Sequence, residues 1–140
     1  MNFKEYSEYV RRFNNEDPGA FDAYLATDVT VQNGHLTYSG VQGMKDHYAR
    51  IWRSMKETLD VRRFVSDGET MAVELHTRFD VRKDDADSPF GPIRKGEGFD
   101  YDGVIMYRLS NGKIQDIKVA YLDFVRTALD GTRTSLGIVH

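Results

Sequence analysis

Residues 98–124 read GFDYDGVIMYRL (98–109), SNGKI (110–114) and QDIKVAYLDF (115–124), two β-type runs either side of a Ser-Asn-Gly turn signal. In the first run Phe99, Tyr101, Gly103, Ile105, Tyr107 and Leu109 share one parity, and Asp100, Asp102, Val104, Met106 and Arg108 take the other. The second run alternates Ile117, Val119 and Tyr121 with Lys118, Ala120 and Leu122. Both faces of this pair carry apolar residues, and a sheet that is apolar on both sides needs two covers. Helices around a pocket are expected on one side, and part of a second subunit on the other.

Upstream, Phe3, Tyr6, Val10 and Phe13 recur at helical spacing with Tyr9 beside the stripe, and Asn14-Asn15 end that helix. Asp17 before Pro18 suggests an N-cap and a first helical proline for a short second helix through Phe21, Tyr24 and Leu25. Val29–Val31 is a short strand followed by the turn-prone Asn33-Gly34. Ser39 and Gln42 form a capping-box pattern ahead of a third helix, whose stripe is Val41, Met44, Tyr48, Ile51, Met55 and Leu59, with Trp52 alongside. Strands are predicted over Val61–Val65 and Met71–Arg82, with a turn at Asp67-Gly68 between them. The segment KDDADSPFGPIRKGE (83–97) has no steady period, and Phe90 and Ile93 within it could close a cavity mouth. A floppy hairpin extension is the other reading of that segment. Beyond Arg126, Asp130-Gly131 marks a turn, and Leu136, Gly137, Ile138 and Val139 form a tail (126–140) that packs either over the sheet or along a partner.

With 140 residues, no repeat and no low-complexity stretch, the whole chain (1–140) is expected to be one domain with a real core. Its 40% hydrophobic and 12% aromatic content argues against disorder. A net charge of −3 and a pI of about 5.8 leave no basic field for phosphate backbones, so nucleic acid is not expected as a partner. The absence of cysteine removes disulfides, thiolate nucleophiles and cysteine-ligated metals. The first 13 residues, MNFKEYSEYVRRF, are charged throughout, and no run approaches the roughly 18 apolar residues of a membrane span. A cytoplasmic protein with no membrane association is expected. Asp84, Asp85 and Asp87 lack the glycine and distal glutamate of a calcium loop. His35, His47, His76 and His140 show no metal-ligand spacing, so no metal and no cofactor is expected.

The element order of helix, helix, short strand, helix and four long strands fits an α+β cone, a curved antiparallel sheet packed against three N-terminal helices in the cystatin-like manner. Three segments, YLATDVTVQNG (24–34), SGVQGMKDHY (39–48) and GVIMYRLSNGKI (103–114), resemble the nuclear-transport-factor-two-like superfamily. That superfamily holds the ketosteroid isomerases, the limonene epoxide hydrolases and the SnoaL-type polyketide cyclases, and the resemblance runs from about Tyr6 to Phe124. Against the isomerases, Tyr9 falls on the tyrosine that hydrogen-bonds the developing enolate. Asn33 falls on the aspartate that moves the proton, and an amide has no useful basicity. Their protonated aspartate would fall near Val104 or Ile105.

Against the hydrolases, Asn33 matches an asparagine that holds the attacking water, and Arg78-Phe79-Asp80 matches their arginine and acid aspartate. Val31 replaces a water-binding tyrosine, and Val119, or Ala120 if a bulge intervenes, replaces the basic aspartate. The resemblance therefore implies Tyr9, Asn33, Arg78 and Asp80 as catalytic candidates and Tyr48, Trp52, Met55, Val119 and Tyr121 as lining of the substrate pocket. Periodicity reads Arg78 and Asp80 differently. They share a parity with Glu74, His76 and Arg82, while Met71, Val73, Leu75, Phe79 and Val81 form the apolar row. That alternation turns the charged row toward water or a partner subunit. Asn33 before Gly34 is also an ordinary turn residue. Asp100 and Asp102 share a face at a strand start, either as a buried carboxylate pair or as exposed entrance residues.

Two functions follow as expectations. The first is a small-molecule pocket protein with cofactor-independent acid–base chemistry (isomerisation, cyclisation, or hydration/dehydration) on an apolar oxygenated substrate. The second is a non-catalytic ligand-binding or dimerisation module of the same fold. Homodimerisation is expected in either case from the second apolar sheet face.

Overall fold

The computed structural model describes residues 1–137; Ile138, Val139 and His140 of the predicted tail lie outside it. Helix α1 (Phe3–Asn14) begins at a capping box, with Asn2 Oδ1 accepting from the Glu5 N–H (2.9 Å) and Glu5 Oε2 from the Asn2 N–H (2.7 Å). Tyr6, Tyr9, Val10 and Phe13 form its buried face, as the stripe predicts. Asp17 Oδ1 accepts from the Gly19 N–H (2.9 Å) at the start of α2 (Gly19–Tyr24), so Asp17 caps this helix from one residue further out than expected.

The strands β1 (Leu25–Asn33) and β2 (Leu36–Ser39) lead to α3 (Gly40–Ser54). The capping box expected here is absent. Ser39 makes no side-chain cap, and Gln42 Nε2 donates instead to Asp46 Oδ1, 2.8 Å away on the next turn. The helix also stops short of the predicted Leu59. Met55 is extended (φ −134°, ψ 145°) and opens the long strand β3 (Met55–Ser66). A spacing of four satisfies both periods, since Met55 and Leu59 are one helical turn apart and also share a strand parity. Pairing of Met55–Ser66 with the next strand decides between them.

Strand β4 (Thr70–Val81) is followed by a small hairpin of β5 (Asp85–Ser88) and β6 (Gly91–Ile93) within the aperiodic segment, then by β7 (Gly98–Ser110), β8 (Lys113–Thr127) and β9 (Arg133–Ser135). The main sheet runs β2-β1-β8-β7-β4-β3, with β9 on the far half of β8. It is curved and antiparallel except for the β1–β8 pair, which is parallel. Bulges at Val61/Arg63, Asp102/Gly103 and Arg108/Leu109 supply local bends.

The inner face packs on the helices. Its core is built from Tyr6, Phe13, Phe21, Leu25, Val73, Leu75 and Ile114, all essentially inaccessible. A second cluster of Ile51, Met55, Phe79, Val81, Ile93 and Phe99 lies toward the β5–β6 hairpin. Arg126 clamps the hairpin's exit, its Nη2 2.8 Å from Oε2 of the buried Glu97. Between the two clusters the packing leaves a cavity. No helix among the described residues is long and apolar enough to cross a membrane.

Candidate functional site

The cavity has two chambers. The inner, of about 50 Å³, lies under Tyr9 and Phe13 of α1 and is floored by Thr77, Tyr101, Ile105, Tyr107 and Ile117 of the sheet. The outer, of about 210 Å³, opens between α3 and the β5–β6 hairpin, walled by Phe79, Phe90 and Phe124. Asn33, Tyr48, Glu57 and Tyr101 border both, so they form the waist where the chambers meet.

Glu57 is the singular group. It sits on β3 between Met55 and Leu59 on the inward parity, 6% exposed. Among the described residues its carboxyl has no salt-bridge partner, the charges of this sheet being paired elsewhere. Burial alone pushes its pKa up to about 8, so at neutral pH it is mostly the protonated acid. Phenols surround it. Tyr38, Tyr48, Tyr101 and Tyr121 are all raised, by burial first and then by the Glu57 charge among other neighbours, and they stay hydroxyl donors throughout the physiological range. The Tyr101 hydroxyl and Thr77 Oγ1 are buried with no hydrogen-bond partner among the described residues. Buried polar groups are nearly always paired, so unpaired ones beside a cavity are poised for a guest.

Of the catalytic candidates, Tyr9 and Asn33 reach the cavity. Tyr9 is 3% exposed and turns into the inner chamber, and its pKa is raised well above the ordinary value by burial. Asn33 closes β1 next to the turn at Gly34 (φ +61°) and accepts from the Tyr121 hydroxyl through its Oδ1. It is thus both the turn-flanking residue and part of the wall.

Arg78 and Asp80 do not join them. The inward row of β4 is Met71, Val73, Leu75, Thr77, Phe79 and Val81, and Arg78 and Asp80 occupy the opposite, outer face. There Arg78 Nη1 donates to Asp100 Oδ2 (2.5 Å) and its Nε to Asp80 Oδ1 (3.1 Å). His76 lies beside them, its Nε2 2.9 Å from Asp100 and its Nδ1 2.8 Å from Asp102. Despite the matching spacing of Arg78-Phe79-Asp80, the outer face is where the strand's alternation of apolar and charged residues predicted them. Thr77 and Phe79 hold the inward positions. Asp100 and Asp102 are likewise outer-face residues, not a buried pair.

Of the expected lining, Tyr48, Val119 and Tyr121 border the cavity. Trp52 and Met55 stand behind the wall. Trp52 stacks on Phe21 at 5.9 Å, and Met55 is fully buried in the second core cluster. Val31 and Val119, the positions that depart from the hydrolases, both face the inner chamber. Sequence reading missed Glu57 because the third helix was extended over it. Ending that helix at Ser54 would have exposed the signal, a carboxylate on the apolar parity of a strand. It also passed over His47, which borders the outer chamber, and Tyr38, which borders the inner.

Comparison with known proteins places the site in context. A family model described as SnoaL-like domain matches residues 6–117. Comparison with the curated proteins finds no match. Among solved structures, a candidate polyketide cyclase from Pseudomonas putida KT2440 is 23% identical, with a TM-score of 0.71 over 84% of this chain and 88% of that one. An LEH-like epoxide hydrolase of M. tuberculosis is 14% identical, with a TM-score of 0.67 over 84% and 80%. SalBIII, an epoxide hydrolase/cyclase-like enzyme with a role in pyran ring formation in the polyether salinomycin, is 18% identical, with a TM-score of 0.66 over 84% and 88%. At these identities the likeness establishes the fold alone.

Proposed function

The chain belongs to the SnoaL-like domain family, and from that membership we propose that it carries out cofactor-independent acid–base chemistry on an apolar, oxygenated small molecule. The reaction class is isomerisation, cyclisation, or hydration/dehydration. One observation carries this reading: the buried carboxyl of Glu57, without a salt-bridge partner among the described residues, at the waist of an aromatic cavity. An acid of that kind can donate to a carbonyl or epoxide oxygen as negative charge develops on it. The hydroxyls of Tyr9 and Tyr101 supply further donors without changing charge, and low dielectric strengthens each of them. Phe79, Phe90, Phe124 and Ile51 receive the apolar body of the substrate in the outer chamber. Tyr48, Val119 and Tyr121 belong to the binding wall, and Arg78 and Asp80 take no part. The solved structures described as cyclases support ring closure within that class.

A second reading, a ligand-binding module without chemistry, is favoured by the valines at positions 31 and 119, which put no water-binding or basic group where the hydrolases have theirs. One experiment separates the two. Small apolar ketones, epoxides and enols are screened for thermal stabilisation, and each stabilising compound is incubated with the protein and with Glu57→Gln. Conversion lost in the variant while stabilisation persists supports catalysis. Stabilisation with no conversion by the wild type supports the binding module, and no stabilisation by any compound defeats both. We also propose a homodimer formed through the outer sheet face, where Met106 is 44% and Leu122 69% exposed.

A further inference from the structure

His47 projects from α3 into the wall of the outer chamber that Glu57 also borders. Its ring is held from two sides, stacked on Tyr38 (centroids 5.0 Å, interplanar 26°) and edge-on to Tyr48 (4.9 Å, 83°). Neither ring nitrogen has a hydrogen-bond or salt-bridge partner among the described residues. His76, by contrast, is tied at both nitrogens. The aromatic contacts fix the half-buried ring at the cavity wall and leave its nitrogens open to water or to a molecule entering the chamber.

We propose that His47 is a catalytic base that works opposite Glu57 as acid, and that the substrate class is a cyclic ketone of about two fused rings carrying an acidic hydrogen beside its carbonyl. This inference rests on the pocket reading above. The unprotonated ring nitrogen of His47 takes the hydrogen from the carbon next to the carbonyl as a proton. The C–H electron pair becomes the new C=C bond, and the carbonyl π pair takes the carboxyl proton of Glu57. The product is an enol, with His47 as imidazolium and Glu57 as carboxylate. His47 then returns its proton to the same carbon or, where a C=C bond is conjugated with the enol, to the far carbon, as the enol O–H proton goes back to the Glu57 carboxylate. The carbonyl re-forms, both residues are restored, and the outcome is hydrogen exchange in the first case and isomerisation in the second.

Electrostatics agree with these roles. Burial, helped by the Arg50 guanidinium on the next turn, lowers His47, while burial raises Glu57 to about 8. The other titratable groups facing this space, Tyr38, Tyr48, Tyr101 and Tyr121, stay neutral. Two groups whose surroundings push their pKa values apart are ready as base and acid at one pH. The chamber of about 210 Å³ limits the guest to roughly bicyclic size.

The test uses 2-tetralone, 2-indanone and 2-decalone in D2O, with exchange of the hydrogens beside the carbonyl followed by NMR and binding followed by thermal stabilisation. Wild type is expected to accelerate exchange of at least one ketone. His47→Asn and Glu57→Gln should each reduce that acceleration by about a hundredfold or more while stabilisation by the ketone persists. The rate should rise through the lowered pKa of His47 and fall above about pH 8. Ring NMR of the wild type keeps the test independent of whether the variants fold. A His47 that titrates at or above the ordinary histidine value overturns the assignment. Exchange that survives in His47→Asn but not in Glu57→Gln overturns it too, and leaves the acid role of Glu57 standing. Stabilisation without exchange by wild type overturns the base alone, whereas neither stabilisation nor exchange overturns the pocket reading as well.

Discussion

Glu57 keeps its proton in the folded chain over a pH range where the unfolded chain has lost it. Its folded pKa is about 8 against an ordinary 4.5, so between those values the folded state binds more protons and stability falls as pH rises. By pH 7 the loss is about 3 kcal/mol relative to pH below 4.5. Glu57→Gln removes this titration and is expected to be more stable than wild type by that amount at pH 7, with no advantage near pH 4. Urea unfolding at the two pH values measures it; an equal difference at both would mean that the carboxyl is not held neutral. A group that destabilises the fold where it sits is typical of a functional position. Tyr9→Phe removes a hydroxyl that has no partner among the described residues, so it should leave stability nearly unchanged and weaken an oxygenated ligand by about 1 kcal/mol, read by calorimetry. Unchanged affinity would make Tyr9 purely structural. Tyr9 and Asn33 were candidates through the family resemblance, and both reach the cavity because each sits on an element whose phase is set locally. Glu57 was hidden because the end of α3 is set by strand pairing elsewhere in the chain.

At the scale of elements, the β7–β8 pair and the β5–β6 hairpin shape the cavity. The runs over Gly98–Leu109 and Ile114–Phe124 were readable because their alternation and turn are local, and Asn111 and Gly112 do adopt the positive φ (52° and 75°) that the turn requires. Gly103 has a different reason to be glycine. A Cβ there would stand 2.5 Å from the Ala120 carbonyl oxygen and against the Tyr101 ring. Gly103→Ala is expected to cost about 2–3 kcal/mol in thermal unfolding and to disturb the Tyr101 wall, and a neutral result would refute the close approach. Phe90, on the hairpin turn, meets Phe79 at 5.0 Å, Phe99 at 4.9 Å and Phe124 at 5.3 Å. Phe90→Ala should cost about 2 kcal/mol and speed dissociation of any cavity ligand, which stopped-flow would register. The sequence named Phe90 as a closing residue without resolving its hairpin, because a strand pair of three or four residues carries too few alternations to read.

For the molecule as a whole, the outer sheet face joins a charged strip of His76, Arg78, Asp80, Asp100 and Asp102 to the apolar Val104, Met106, Ala120 and Leu122. Sedimentation is expected to give twice the 16.1 kDa chain mass, and Leu122→Glu to reduce it to one chain. A wild-type monomer at high micromolar concentration would sink the dimer. The three helices, the long strands, their order and the cone-like α+β class were determined by the sequence alone, since hydrophobic period and turn chemistry act within a few residues. The inward face of β4 was also legible, in the alternation of Met71, Val73, Leu75, Phe79 and Val81 with a charged row, whereas where α3 yields to β3 and which polar groups surround empty space were decided by the tertiary structure. Those outcomes depend on register between strands far apart in the chain, where a shift of one residue exchanges the pocket for the surface.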